Sequence, residues 1–206
     1  MNMDEIRSPL SPFYGMLAGH LLILLTGVFW SVYWTMLFHA EESKAPLPSG
    51  LLPAATVLCG FGALIVMSLA IAALAPGAGR MPFQLWQIPV WGVVFFVLWL
   101  AVSTLVFKRV VTSELFLIPM WAVLQACVLH ALAGSGWLSG SQTAVSAVLT
   151  SAAFLVGLVC YVLHYRLDDN GRFINGLVPY VGFGVVALTV DVLLVFNKAF
   201  RTGMIR

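Results

Sequence analysis

Six apolar runs with almost no charge inside them cover most of this chain: Tyr14–Phe38, Gly50–Leu74, Leu85–Phe107, Leu115–Leu132, Thr143–Leu163 and Leu177–Phe196. A helix rises about 1.5 Å per residue, so about twenty residues cross a hydrocarbon core ~30 Å thick. Inside lipid the backbone must satisfy its own hydrogen bonds, which a helix does within one segment. The expected fold is therefore an all-α integral membrane protein, a bundle of six transmembrane helices formed by residues 1–206 as a single domain. Composition points the same way: 61% of residues are hydrophobic and 9% charged, where a soluble domain carries roughly 25% charged residues.

The connections between runs are short, so neighbouring helices are expected to pack as antiparallel hairpins. No segment outside the runs is long enough to bury a core of its own, which puts any chemistry inside the bundle or at its rims. The first run is too long for a signal-peptide core and carries Trp30 and Trp34, so it reads as a span. The formal charge of +2 comes from basic residues scattered near the ends of spans. That is a pattern of membrane anchors and gives no reason to expect a nucleic-acid partner. Cys59, Cys127 and Cys160 fall in three different spans with no CxxC pairing and read as small packing residues.

An even number of spans puts both termini on one side, here called face A. Arg7, Arg80, Lys198, Arg201 and Arg206 fall on face A, and an equal number, Lys44, Lys108, Arg109, Arg166 and Arg172, on the opposite face B. The Lys/Arg bias that normally orients a bundle is thus tied. Insertion in both directions, giving an antiparallel dimer, is one reading of the tie. A weak internal echo accompanies it. At an offset of ninety positions, Pro89, Gly92, Leu98, Val102 and Lys108 match Pro179, Gly182, Leu188, Val192 and Lys198. Such an echo suggests a 3+3 inverted repeat of the transporter kind.

Ionisable side chains inside a span cost several kcal/mol, so each is by default a functional-site hypothesis. Asp191 is the one acid well inside a span. His20 lies at a similar depth from face A, and His130 somewhat nearer that face. If they converge, the acid can hold a proton or cation while an imidazole takes the hydrogen bond or the proton. Gln125, deeper on the fourth span, can extend the polar lining. These four residues make a small multi-pass transporter or permease for an ion or small molecule the leading expectation.

Three alternatives use other features. Four histidines sort by side, His20 and His130 towards face A and His39 and His164 towards face B. Two facing pairs are what a b-type haem anchor of a quinone-linked redox complex would need. A membrane-embedded lipid-modifying enzyme could use Glu114, His39 or His164. A structural subunit, in a homo-oligomer or a larger membrane complex, needs no site of its own. There is no HExxH, GxGxxG or P-loop, so an enzyme is not the main expectation. Asp168-Asp169-Asn170-Gly171 reads as a turn. Pro89, Pro119 and Pro179 are placed near the first turns of their spans, and Gly60, Gly62, Gly182 and Gly184 allow close helix approach. Reporters fused to the two termini should therefore give the same sidedness in membrane vesicles; opposite sidedness would rule out an even number of spans.

Overall fold

A computed structural model describes residues 12–38, 50–74, 87–106 and 112–201. The described residues form six helices: α1 (Pro12–Phe38), α2 (Leu51–Leu74), α3 (Gln87–Leu105), α4 (Thr112–Gly134), α5 (Gly140–His164) and α6 (Asp169–Arg201). All but α4 are long and apolar enough to cross a membrane, and α4 carries a shorter apolar stretch, Ile118–Gly134. The outer surface is apolar all round: Leu58, Leu69, Val148, Val181 and Val192 are each about two-thirds exposed or more. A surface of that kind aggregates in water and matches hydrocarbon.

Two connections are shorter than the hydropathy pattern suggests, because local chemistry ends the helices sharply. Gly136 takes a positive φ of 72° just past α4. The Trp137 N–H reaches the Leu132 carbonyl (2.8 Å) and the Gly136 N–H the Ala133 carbonyl (3.0 Å). This is the Schellman arrangement, for which glycine is suited because it has no Cβ to clash. Ser139 then starts α5: its hydroxyl accepts from the Gln142 N–H (3.3 Å), and the Gln142 side chain accepts from the Ser139 N–H (2.9 Å). The reciprocal pair is a capping box. At the other face, Asp168-Asp169-Asn170-Gly171 is not the free turn expected. Asp168 Oδ1 accepts from the Gly171 N–H at 2.9 Å and so caps α6, which begins at Asp169. Pro179 therefore stands well inside α6, and Pro119 inside α4, not in first turns.

Packing follows chain order. Each helix touches the next, α1 touches α6, and α2 also reaches α4, which leaves α3 on the outside. Five helices, α1, α2, α4, α5 and α6, thus enclose the centre. Trp121 of α4 stacks on Phe183 of α6 across it, with ring centroids 3.9 Å apart. The inverted repeat expected from the echo would pair α2–α4 with α5–α1. Among the described residues α5 meets α1 through the Trp34 and His164 rings, 5.9 Å apart, without the backbone approach that α2 makes to α4, and α3 is peripheral where α6 is central. The packing is therefore not two-fold.

The tightest seam joins α1 to α2. A Cβ on Gly15 would lie 3.0 Å from the Ala70 Cβ, and one on Gly19 only 2.1 Å from the Met67 Cγ. Gly15 and Gly19 form a GxxxG pair, the spacing that brings helix backbones together. Gly19→Leu should destabilise the fold by about 1–3 kcal/mol, as overpacking does, whereas Gly27→Ala meets only ordinary contacts with Tyr180 and should be tolerated. Thermal unfolding in detergent checks the contrast, and equal effects would refute this account of the seam.

Candidate functional site in the bundle interior

The site starts from the way α6 presents its residues. At about 100° per residue, Tyr180, Gly184, Asp191 and Lys198 share one stripe. That stripe faces α1: the Gly184 position lies against Leu24 and Tyr180 against Gly27. Lys198 Nζ donates to the Tyr14 hydroxyl at 2.9 Å and lies over the Phe13 and Tyr14 rings at 4.2 and 4.3 Å. At the other end Trp34 Nε1 donates to the Phe173 carbonyl at 3.2 Å. Between these ends His20 Nδ1 sits 2.5 Å from Asp191 Oδ1. The first and last helices are thus joined at mid-seam by an imidazole–carboxylate contact.

His20 is fully buried and the Asp191 side chain 18% exposed. An ionisable side chain in such surroundings needs a partner, and each supplies the other's. One proton between Nδ1 and Oδ1 satisfies the contact, either as neutral imidazole donating to carboxylate or as imidazolium. The second imidazole nitrogen is the more informative atom. His20 Nε2 is buried and, among the described residues, has no hydrogen-bond partner.

It is not alone in this. Ser68 Oγ, Ser146 Oγ, Trp121 Nε1 and both amide atoms of Gln125 are likewise buried without a partner among the described residues. Each such atom costs about 1–3 kcal/mol, and more than nine in ten buried polar groups in folded proteins are satisfied. Contacts between the helices place these groups at neighbouring levels. Trp121 lies level with Phe183, so Gln125, one turn on, is level with residue 187, about 6 Å along the axis from Asp191. Gln142 bonds to Asn197 and Ala153 lies against Gly182, which brings Ser146 level with Asp191. Ser68 is next to Met67, which packs on Gly19. Each of the five enclosing helices contributes a polar side chain to this layer.

The expected site residues divide accordingly. Asp191 and His20 meet. Gln125 occupies the centre of the buried face of α4, between Trp121 and Leu132. His130 is at the expected depth but exposed, because it lies ~140° around α4 from Gln125 at helical periodicity. It therefore does not join His20, and the facing pair that a haem would need towards face A is not formed. His164 lies near face B with its ring beside Trp34 and Tyr165. His39 and the Glu114 side chain lie outside the described residues, so the second haem pair and the lipid-enzyme reading rest on positions of which nothing is said. Cys59, Cys127 and Cys160 are free thiols. Among the described residues no three His, Cys, Asp or Glu side chains converge in a way that could hold a metal ion.

Sequence reasoning passed over Ser68, Ser146 and the Trp121 N–H. Serine inside an apolar run usually bonds its own helix backbone, as Ser31 does to the Gly27 carbonyl, so nothing in the run marks these two as different. The chain matches no protein-family model, no curated protein and no solved structure. Removing one partner of a buried pair typically costs about 3–5 kcal/mol, whereas replacing both by apolar residues is often neutral. Asp191→Leu and His20→Leu should each lower the melting temperature in detergent, and the double variant should recover most of the loss. Additive losses would show that the two side chains are not energetically coupled.

Proposed function

We propose that this chain is a six-span membrane bundle acting as a small carrier of the permease type, in which the His20–Asp191 pair loads and releases a proton or a cation. The observation that carries the reading is the 2.5 Å contact between a fully buried imidazole and a carboxylate on the first and last helices. A pair whose members can exchange one proton changes its local charge at modest cost, because the neighbour compensates. A carrier needs that property at a site both faces can reach in turn. The length and apolar character of the helices support membrane embedding, and the short apolar stretch of α4 is long enough for a sixth span once the rest of the helix is counted.

The position of the pair also favours this reading over a purely structural one. Elsewhere the α1–α6 seam is held by Gly184 against Leu24, Gly27 against Tyr180 and the Lys198–Tyr14 bond. A register-setting contact would serve as well with neutral partners, yet the seam holds an acid and a histidine. In proteoliposomes given an acidic exterior and a mixed metabolite extract, the wild-type protein should accumulate at least one solute, read by mass spectrometry of the vesicle contents. Asp191→Asn should lower that accumulation about tenfold or more, the effect of ~1.4 kcal/mol or more in the carrier cycle. Wild-type accumulation by a folded Asp191→Asn protein would remove the site.

A further inference from the structure

We infer that the polar layer inside the bundle is a water-holding chamber on the interior side of His20, and that this chamber is the inner terminus of a proton path whose outer terminus is Asp191. The chamber claim stands on the unpartnered atoms, and its role as a proton path rests on the carrier reading above. The buried groups are His20 Nε2, Ser68 Oγ, Gln125 Oε1 and Nε2, Ser146 Oγ and Trp121 Nε1. Their residues are 0%, 4%, 1%, 0% and 8% exposed for His20, Ser68, Gln125, Ser146 and Trp121. No two of them bond to each other or, among the described residues, to anything else. A buried water makes about three hydrogen bonds and occurs where several unsatisfied polar groups converge. Two hydroxyls, an amide with both a donor and an acceptor, an indole N–H and an imidazole nitrogen form a set that water satisfies from either side of each bond. An anion would leave Gln125 Oε1 unmatched, and a cation would be opposed by the Trp121 N–H and the Gln125 amide protons.

The geometry orders the path. Among the described residues, His20 is the group that joins Asp191 to the unpartnered atoms of the interior. Its Nδ1 is on Asp191, whose carboxylate is 18% exposed on the α1–α6 seam; its Nε2 lies in the buried interior. Seven residues beyond Asp191 on the same stripe, about 10 Å towards face A, Lys198 and Tyr14 close the seam. Towards face B the chamber is closed by the Trp121–Phe183 stack, its centroids 3.9 Å apart and its planes 18° from parallel. The structure thus describes a conformer closed towards both faces.

The proton step balances within the chain. A chamber water, protonated in excess, gives a proton to His20 Nε2, forming imidazolium. The Nδ1–H bond then breaks and the proton passes to Asp191 Oδ1, leaving neutral imidazole with its hydrogen on Nε2 and a neutral carboxyl group. Loss of that proton from Asp191 towards face A, followed by a reorientation of the ring that turns its remaining N–H from the chamber back to Asp191, completes one transfer without any further proton gained or lost. No oxidant or cofactor is needed.

The test uses the full chain in nanodiscs and hydroxyl radicals made from water in place by a synchrotron X-ray pulse, which oxidise side chains that touch water. Trp121 and Met67, buried at 8% and 0% exposure, report on the chamber. Cys160, also 8% exposed but bonded through its carbonyl to Asn175 at the face-B end of α5, is the dry control. Oxidation of Trp121 and Met67 well above Cys160, and a several-fold fall in Gln125→Leu or in the milder Ser146→Ala, is the expected result. Oxidation of all three at the same low level, while exposed Tyr165 is labelled normally, would mean a dry core and overturn the inference. That outcome leaves the uptake assay on Asp191→Asn unaffected, so the chamber and the carrier reading fail separately.

Discussion

The contact between His20 and Asp191 is the one interaction that the rest of the bundle is arranged around. It joins the first helix to the last, and without that seam five helices would form an open sheet and not an enclosure. It is also the contact least able to exist on its own terms. In a medium of low dielectric an isolated charge is very costly, so imidazole and carboxylate must stay close enough to share one proton. The glycines around the pair serve that requirement. Gly19 lets α2 approach beside His20, and Gly184 lets α1 approach one to two turns from Asp191. Close backbone approach and the polar contact thus occur side by side, Gly19 facing Met67 of α2 and Gly184 facing Leu24 of α1.

Level along the bundle was legible from the sequence, and azimuth was not. Counting residues from the ends of apolar runs put His20 and Asp191 in one layer, and they do meet. The same count put His130 in that layer too. It is there, but on the outer side of α4, because a shift of five residues from Gln125 turns the side chain well away from the core. In a soluble helix the apolar stripe would have revealed this. Here both faces are apolar, one against protein and one against lipid, so periodicity carries little signal. Gln125, expected to extend the polar lining, is central to the buried face of its helix. The GxxxG pair at Gly15 and Gly19 is legible in the spacing alone, whereas Gly60 and Gly62, whose Cβ positions meet only ordinary contacts, do not mark the tight seam. The start of α6 was hidden for another reason: Asp168 as a cap and Asp168 as a turn residue have the same local chemistry, and only the continuing helix distinguishes them.

The asymmetry between halves has the same origin. An offset of ninety residues aligns apolar residues and prolines of α3 and α6, which share a composition suited to lipid. It does not align what α6 uses. Asn175, Asp191 and Asn197 would fall on Leu85, Ala101 and Phe107. Asn175 donates to the Cys160 carbonyl at 2.6 Å, and Asn197 bonds both the Trp137 carbonyl and the Gln142 side chain. These contacts hold α6 against α5 and the α4–α5 turn, while α3 packs on α4 and α2 from the outside. A helix tied to its neighbours by directional side-chain hydrogen bonds, as α6 is through Asn175 and Asn197, is held in the enclosure. One whose surface is apolar has no reason to leave lipid, because burial against protein gains it little.

The two ends of the interior are closed by different means, and that difference has a mechanical consequence. Towards face A the α1–α6 seam is closed by directional contacts, the Lys198–Tyr14 hydrogen bond and the cation over two rings. Towards face B closure depends on Trp121 lying flat on Phe183 and Tyr180 edge-on to Phe183. Stacked rings gain about 0.5–1.5 kcal/mol beyond the area they bury, and they lose it by sliding without breaking any hydrogen bond. The aromatic end can therefore open by rotamer changes on two facing helices, α4 and α6, each carrying a proline within one turn of its ring, Pro119 beside Trp121 and Pro179 beside Phe183. A proline removes one backbone bond and eases bending at that level. The non-directional closure and the two points of helix compliance thus coincide at one level of the bundle.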